Sequence, residues 1–193
     1  MDANEAARHL GPQFEAIAAD GLLALGNLNL PRGAQVLDVG TGAGNFAIFL
    51  ALQGFDVVTG EPETDTTRYA RKNWSAHAVA VGVQARIRFR PFDASRMPFE
   101  DGCFAAVFFF GVLHHVEEAQ RRQVLGEALR VVQPGGCAVF FEPTEELLAQ
   151  IRTRDPDHPP AANPDDYTGD APPAATRLRG RRMNIFVYSA ARR

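Results

Sequence analysis

The stretch "VLDVGTGAGNFAIFLA", residues 36–51, passes from an apolar run through a glycine-rich turn to a second apolar pattern. Residues 36–39 suit a strand buried on both faces, and the later apolar positions suit a helix packed on a sheet. Three glycines within five residues permit a sharp turn and remove the Cβ atoms that would keep a ligand from the backbone. The helix N-terminus that follows favours an anionic or electron-rich group. The segment therefore predicts a strand, a ligand-binding turn and a helix.

Two classes of nucleotide-like ligand compete for this turn. The dinucleotide fingerprint Gly-x-Gly-x-x-Gly, started at Gly40, requires glycine at position 45, which is Asn45. The spacing that is present, Asp38-x-Gly40-x-Gly42-x-Gly44, resembles the first motif of class I S-adenosylmethionine-dependent methyltransferases. A nicotinamide-dependent oxidoreductase is the weaker alternative, because its spacing and a hydride-transfer residue are both missing.

Strand and helix patterns alternate along most of the chain, which predicts parallel crossovers and a sheet covered on both faces. The patterns predict a strand at 35–39, a helix at 44–53, a strand at 55–59, a helix at 64–80, strands at 86–90 and 104–110, a helix at 117–131 and a strand at 136–142. We expect one α/β domain over residues 1–193, with a Rossmann-like, doubly wound, mostly parallel sheet and an antiparallel C-terminal strand.

Three segments lie outside this alternation. Residues 1–30 are expected to form an N-terminal helical cap, and residues 177–193 a closing antiparallel hairpin. Residues 154–176 hold six prolines and few large apolar residues, so they are expected to form a loop or a mobile lid. Tyr167 is the only large aromatic residue in that segment and is the candidate to enter the site on closure.

Composition excludes several classes of function. The formal net charge of −3 gives no broad basic field for nucleic acid, and no apolar run approaches the roughly 18 residues that span a bilayer. We therefore expect a cytoplasmic protein with neither a nucleic-acid nor a membrane partner; its oligomeric state stays open. Cys103 and Cys137 are expected to be reduced core thiols, and because no His or Cys cluster has metal-ligand spacing, no metal is expected.

Two acidic residues follow predicted strands, where ligands bind in open α/β sheets. Glu61 lies 21 positions after Gly40, which suits an acid that accepts hydrogen bonds from both ribose hydroxyls; the alternative is a helix cap near Thr64. Asp93, followed by Ala94, suits the exocyclic amino group of an adenine, although on its own it fits a turn residue better.

The ends of the fourth and fifth strands supply further candidates. His114 and His115 could take a proton from a hydroxyl or amine near neutral pH, or form only structural hydrogen bonds at a helix start. Glu142 could orient a substrate or cap the residues from Thr144 onward. Phe110 is expected to be core, with the option of packing on the adenine or the methyl group.

The motifs together resemble the small-molecule class I methyltransferases over about residues 35–143. "LDVGTGAGNF", an acid after the second strand, "DASRMPFEDGCF", "VLHHV" and "LRVVQPGG" occur in the order and spacing of that family. The resemblance implies a seven-stranded sheet with one antiparallel strand and S-adenosylmethionine across the strand ends, with S-adenosylhomocysteine as product. The resemblance implies that Gly40 to Gly44 lie under the amino-acid moiety of the cofactor, Glu61 on the ribose and Asp93 near the adenine. With the residues argued above, the candidates for cofactor binding are Asp38, Gly40, Thr41, Gly42, Gly44, Glu61, Pro62, Asp93, Ala94 and Phe110.

The expected reaction is in-line methyl transfer to a small-molecule acceptor, in which the protein aligns the reactants and excludes water. An Asn-Pro-Pro-Tyr type of motif, typical of adenine and glutamine amino methylation, would follow the fourth strand, where the sequence is "FFFGVLHH". Those acceptors are therefore disfavoured. The alternative is a non-catalytic module that only binds the cofactor, because the region after residue 143 is short and proline-rich.

Overall fold

The computed structural model describes residues 1–67, 69–70, 73–169 and 172–191. Its helices and strands alternate along the chain after two N-terminal helices, and the chain ends in a hairpin. In order they are α1 (Ala3–Leu10), α2 (Pro12–Leu25), β1 (Gln35–Val39), α3 (Asn45–Leu52), β2 (Asp56–Gly60), α4 (Trp74–Ala80), β3 (Ile87–Phe89), β4 (Phe104–Phe110), α5 (Glu118–Val131), β5 (Val132–Pro143), α6 (Glu145–Arg152), β6 (Ala175–Arg179) and β7 (Met183–Ser189).

The strands of the described chain form one sheet in the order β3-β2-β1-β4-β5-β7-β6. Strands β1 to β5 pair in parallel, whereas β7 runs antiparallel to both of its neighbours, β5 and β6. The predicted Rossmann-like fold, mostly parallel with an antiparallel C-terminal strand, is confirmed. The strand order reverses between β1 and β4, so the carboxyl ends of these two strands flank the crevice in which such sheets bind ligands.

Each face of the sheet carries its own apolar core, because successive side chains of a strand point to opposite faces. On β4, Phe108 packs in the core that also contains Phe14 of α2 and Phe49 of α3. The next residue, Phe109, stacks on Phe140 of β5 at 4.4 Å, in the core on the α5 side. The alternation buries both faces of the central strands, as the uniformly apolar run around β4 predicts.

One predicted helix is much shorter than expected. Instead of a helix over 64–80, the structure has a turn at residues 63–64 and α4 only from Trp74; positions 68, 71 and 72 lie outside the described residues. Asp65 Oδ1 accepts a hydrogen bond from the backbone N–H of Thr67 at 2.8 Å. Such a local side-chain bond offers the backbone an alternative to the helix, which explains the difference.

Three other expectations need correction. Strand β5 begins at Val132 and not at residue 136, and its pairing with β4 shifts register between Phe104 and Ala106. Helix α6 was not predicted, although Thr144 caps it by accepting from the N–H of Leu147 at 3.3 Å. Cys103 is exposed and is not a core thiol, because it precedes the buried part of β4.

One buried carboxylate fastens the N-terminal helices to the last hairpin. Asp20 of α2 is 1% exposed and accepts backbone hydrogen bonds from the turn between β6 and β7. Its oxygens lie 2.6 Å from the nitrogen of Arg181, 3.0 Å from that of Arg182 and 2.9 Å from that of Met183. Three hydrogen bonds to a charged acceptor offset the cost of burying it.

Replacing Asp20 by alanine leaves three backbone N–H groups without this acceptor. We expect Asp20→Ala to lower the free energy of unfolding by at least about 1.5 to 3 kcal/mol, the value of one hydrogen bond to a charged group. Urea unfolding measures the change. The control Glu15→Ala removes an exposed acid of the same helix and should stay within about 0.5 kcal/mol of the parent. Equal stability of the two variants would contradict the anchoring role.

Candidate active site

The predicted site residues gather where the parallel strands end. The glycine turn follows β1, Glu61 follows β2, and Asp93 lies a few residues beyond β3. His114 and His115 form a 3₁₀ turn after β4, and Glu142 lies near the end of β5. Because these strands are parallel, all five groups lie at one edge of the sheet.

The glycine turn needs glycine for both its conformation and its packing. Gly40, Gly42 and Gly44 have φ angles of 85°, 48° and 78°, in the left-handed region that other residues rarely adopt. A Cβ atom on Gly40 would lie 2.6 Å from Val112, and one on Gly44 would lie 2.6 Å from the Cβ of Trp74. The turn leads into α3, whose N-terminus has no side-chain cap. That end suits an anionic ligand group.

Glu61 is tied to the glycine turn. The backbone N–H of Gly42 donates to Glu61 Oε2 at 3.0 Å, and Glu61 is only 6% exposed. The alternative role as an exposed helix cap near Thr64 is wrong, because Thr64 lies in a turn and the next helix begins at Trp74. The bond joins the ends of β1 and β2, and Pro62, half-buried, follows directly.

A buried hydroxyl chain supports Asp38 beside this turn. Asp38 and Thr59 are register partners on β1 and β2, and Thr59 Oγ1 donates to Asp38 Oδ2 at 2.8 Å. Since that uses the one hydroxyl proton of Thr59, the 2.9 Å contact between Thr41 Oγ1 and Thr59 Oγ1 must be donated by Thr41. The second oxygen, Asp38 Oδ1, is buried and accepts no hydrogen bond from any described residue.

This environment shifts the protonation of Asp38. Burial is the main cause that raises its pKa, to about 7; the Thr59 hydrogen bond opposes the rise, and repulsion from Glu61 adds to it. Asp38 is therefore close to half-protonated in the ligand-free protein at neutral pH, and a cation bound beside it would favour the charged form.

Asp93 and Phe110 lie at the two other strand ends. Asp93 Oδ1 accepts from the backbone N–H and the hydroxyl of Ser95, at 2.7 and 2.8 Å, so it organises its own turn; Ala94 beside it is half-buried. Phe110 is also half-buried, and its ring stacks on Phe46 with centroids 4.8 Å apart. Both residues lie at the predicted edge, while their contact with a cofactor stays a prediction.

His114 is held by a buried acid. Its Nδ1 lies 2.8 Å from Glu142 Oε2, which also accepts the backbone N–H of Ala162 at 2.9 Å. His114 and Glu142 are 5% and 1% exposed. With the carboxylate as acceptor, Nδ1 carries a proton, so in the neutral imidazole Nε2 is the nitrogen with the lone pair. Glu142 therefore orients an imidazole and does not cap α6, whose cap is Thr144.

A third histidine joins the predicted pair. The ring centroid of His158 lies 5.2 Å from that of His114 and 5.0 Å from that of His115, while His114 and His115 are 4.2 Å apart. The ring of Tyr69 packs against that of His115 at an angle of 39°, with centroids 5.1 Å apart. His158 was not predicted as a site residue, because no motif or spacing marks it; only its place in the proline-rich segment after β5 points to this edge.

The packing around His115 keeps its imidazole neutral. His115 is the exposed member of the cluster, yet its ring is covered in part by the neighbouring rings. This loss of hydration, followed by repulsion from His114 and His158, lowers its pKa to about 4. At neutral pH the ring therefore keeps a lone pair that can bind a cation, while a pKa of about 4 makes it a weak base, contrary to the expectation that it takes a proton near neutral pH.

The proline-rich segment contributes to the site through His158 and not through Tyr167. The Tyr167 hydroxyl accepts from Arg121 Nη1 at 2.9 Å, and the Arg121 guanidinium lies 5.6 Å from the ring centroid. These contacts hold Tyr167 against α5. His158, Ala162 and Pro164 are buried, so this part of the segment packs on the domain in this structure. Its closing over a bound ligand stays a prediction.

The comparisons with known proteins agree with this geometry. Residues 36–136 match the family model described as a methyltransferase domain, which is more than half of the chain. The chain belongs to this family, the class I S-adenosylmethionine-dependent methyltransferases, and its cofactor is S-adenosylmethionine. That assignment confirms the resemblance drawn from the glycine turn and the motifs after it.

Two curated relatives show similarity over part of the chain. A ubiquinone/menaquinone biosynthesis C-methyltransferase from Desulfotalea psychrophila is 31% identical over 59% of this chain and 43% of its own length. A 27-O-demethylrifamycin SV methyltransferase from Amycolatopsis mediterranei is 34% identical over 58% of this chain and 39% of its own length. The chain thus spans less than half the length of these relatives.

Solved structures show the same fold. A crystal structure of an S-adenosylmethionine-dependent methyltransferase from Methanococcus maripaludis superposes with a TM-score of 0.70 at 16% identity, covering 98% of this chain and 90% of the other. At that identity the likeness bears on the fold alone.

No helix in the described residues combines the length and the apolar character that a membrane span requires.

Asp38 should make the stability of the ligand-free protein depend on pH. Its folded pKa of about 7 lies above the value near 4 expected in the unfolded chain, so between these values the folded state retains a proton that the unfolded state releases. The contribution of Asp38 to the stability of the folded state therefore falls as pH rises from 4 to 7. Asp38→Asn keeps an acceptor for Thr59 but does not titrate.

We expect Asp38→Asn to gain stability relative to the parent as pH rises through this window, by up to a few kcal/mol. Urea unfolding at several pH values, without cofactor, measures the difference. Glu63→Gln, which neutralises an exposed acid close by in sequence, is the control and should track the parent. A constant difference between Asp38→Asn and the parent from pH 4 to 7 would contradict the raised pKa.

Proposed function

We propose that this chain catalyses in-line transfer of the methyl group of S-adenosylmethionine to a small-molecule acceptor. The observation that carries the proposal is the glycine turn bridged to Glu61 by the 3.0 Å hydrogen bond from Gly42, at the same strand edge as the imidazole cluster of His114, His115 and His158. The glycine turn with Glu61 suits binding of the cofactor, and the imidazole cluster lies where an acceptor could bind.

The turn and its neighbours fit the amino-acid end of the cofactor. This end carries one carboxylate and one ammonium group. The N-terminus of α3 has no side-chain cap and suits the carboxylate, while the buried Asp38 Oδ1, without a donor among the described residues, suits the ammonium. Gly40, Gly42 and Gly44 keep the backbone accessible, and Thr41 holds the hydroxyl chain behind it.

Residues at neighbouring strand ends fit the nucleoside. Glu61 would accept hydrogen bonds from the ribose hydroxyls, with Pro62 beside it, and Asp93 would accept from the adenine amino group, with Ala94 against the ring. Phe110 has a partly exposed ring at the end of β4 and would pack on the apolar side of the cofactor. These roles follow from acceptor chemistry and from position at the sheet edge.

The proposed acceptor site contains imidazole rings, whereas the proposed cofactor site contains a glycine turn and carboxylates. Transfer from a sulfonium chiefly requires that nucleophile, methyl carbon and sulfur be aligned and that water be excluded. His114 is fixed by Glu142 at 2.8 Å, and His115 lies beside it. Both were candidates to accept the proton that a hydroxyl acceptor loses; a pKa of about 4 makes His115 the weaker base of the two candidates to act near neutral pH. The net charge of −3 and the names of the relatives favour a small organic acceptor over nucleic acid.

Turnover tests the catalytic proposal directly. The chain of residues 1–193 is incubated with S-adenosylmethionine and one hydroxylated aromatic acceptor at a time. The panel of acceptors includes a demethylated naphthoquinol, and the formation of S-adenosylhomocysteine is measured. We expect product with at least one acceptor above the rate without acceptor. Binding of both cofactor forms without turnover across the panel would favour the non-catalytic module. Absence of binding to either form, with binding of a nicotinamide dinucleotide, would sink the proposal.

Glu61 should control cofactor affinity. Glu61→Ala leaves two ribose hydroxyls without a charged acceptor, so we expect affinity for S-adenosylhomocysteine to fall by about 1.5 to 3 kcal/mol in calorimetry. Glu63→Ala removes an exposed acid two positions on and should leave the affinity unchanged. Far-ultraviolet circular dichroism checks that the loss of the Gly42 hydrogen bond does not unfold the chain. Affinities within twofold for the two variants would show that Glu61 only supports the turn.

A further inference from the structure

Three imidazoles converge at the ends of β4 and β5, although they come from separate parts of the chain. Each of His114, His115 and His158 offers one ring nitrogen, and the three nitrogens lie within 4.8 Å of one another. Sequence spacing predicted no metal, because only the first two are adjacent and His158 comes from the proline-rich segment. Folding brings the third ring to the pair.

Acidic groups orient two of these rings in the same manner. Glu142 Oε2 lies 2.8 Å from Nδ1 of His114, and Asp155 Oδ2 lies 3.2 Å from Nδ1 of His158. The hydroxyl of Tyr69 also lies 3.2 Å from that second Nδ1. A carboxylate on one nitrogen of a histidine fixes its tautomer and leaves the other nitrogen as a lone-pair donor, which is the usual arrangement around metal-binding histidines.

The second nitrogen of His158 supplies an independent observation. His158 is 6% exposed, and its Nε2 is buried without a hydrogen-bond partner in the part of the chain that the structure describes. A buried polar atom without a partner costs about 1 to 3 kcal/mol, so native proteins seldom keep one without a ligand or water. Its position among two other imidazoles points to a cation as the partner.

We infer that His114, His115 and His158 form a binding site for a divalent first-row transition metal, with zinc as the reference ion. Neutral imidazole nitrogens suit zinc, iron, cobalt, nickel and copper better than magnesium or calcium, which prefer oxygen. Three histidine ligands leave one tetrahedral position open, as in catalytic rather than structural zinc sites.

The required rearrangement is small and falls on the accessible residue. Zinc–nitrogen bonds of about 2.0 to 2.1 Å in a tetrahedron place the nitrogens about 3.3 Å apart, so the present separations of up to 4.8 Å must shrink by at most about 1.5 Å. His114 and His158 are buried and fixed by acids, whereas His115 is exposed and can rotate toward them. The site is therefore largely formed before the metal binds.

The open position gives the metal a chemical use. A hydroxyl oxygen bound there would release its proton to solvent more readily, as zinc-bound water does, and the resulting oxyanion would be the better methyl acceptor. This use rests on the proposed methyl transfer, whereas the metal site itself does not. Metal binding is therefore tested without turnover.

Cobalt substitution gives a direct readout. The chain of residues 1–193, without an affinity tag, is treated with a chelator, dialysed and titrated with Co²⁺. The visible d–d absorption of tetrahedral cobalt is followed, and Zn²⁺ is then added as competitor. We expect one equivalent of Co²⁺ to bind with a tetrahedral spectrum that Zn²⁺ abolishes. A parent protein with no such spectrum would overturn the inference and leave ring packing as the only role of the cluster.

Variants assign the ligands. His115→Ala should abolish the spectrum while keeping the fold, because the residue is exposed, and His158→Ala should also abolish it. Glu142→Gln should weaken metal affinity by about 10- to 100-fold, because His114 loses the carboxylate that orients its ring. His9→Ala removes an exposed histidine at the end of α1 and should match the parent. Parent-like affinity in His115→Ala would overturn the three-histidine site, and parent-like affinity in Glu142→Gln the orienting role of the acid.

Discussion

The reversal of strand order between β1 and β4 is the constraint on which the site depends. To one side of this point the chain continues into β2 and β3, and to the other into β5 and the hairpin, so the connections diverge and leave a crevice at the carboxyl ends. The glycine turn lies on one side of the crevice and the His114–His115 turn on the other. A cofactor and an acceptor can therefore approach from opposite halves of one sheet.

Among the described residues, the three most buried carboxylates are stabilised to different degrees, and the difference follows their position. Asp20, far from the crevice, accepts three backbone N–H groups. Asp38 and Glu142, at the crevice, each keep one buried oxygen that accepts nothing from the described residues. Proteins tolerate such unsatisfied atoms mainly where a ligand completes them. Both oxygens of Asp20 thus accept hydrogen bonds from the protein, whereas Asp38 and Glu142 each have one oxygen that could accept a hydrogen bond from a ligand.

How much the sequence predicts depends on whether the determining contacts are local. Strand β1 with its turn and α3 was predictable, because burial pattern, glycine conformation and helix start all lie within residues 36–51. Helix 64–80 was overestimated, since the local bond from Asp65 to Thr67 competes with helical pairing. His158 could not be found, because its role arises from contacts with residues distant in sequence.

The same distinction bears on which part of the chain selects the acceptor. The family match covers residues 36–136, which include the glycine turn, Glu61, Asp93 and the His114–His115 pair. Glu142 and His158 lie beyond it, and the relatives share only part of their length with this chain. The residues proposed to bind the cofactor therefore lie within the matched region, whereas the environment of His114 and His115 is completed by residues outside it. The match to the family model therefore carries no information on the acceptor that this cluster would take, because its third imidazole and its orienting acid lie outside the matched residues.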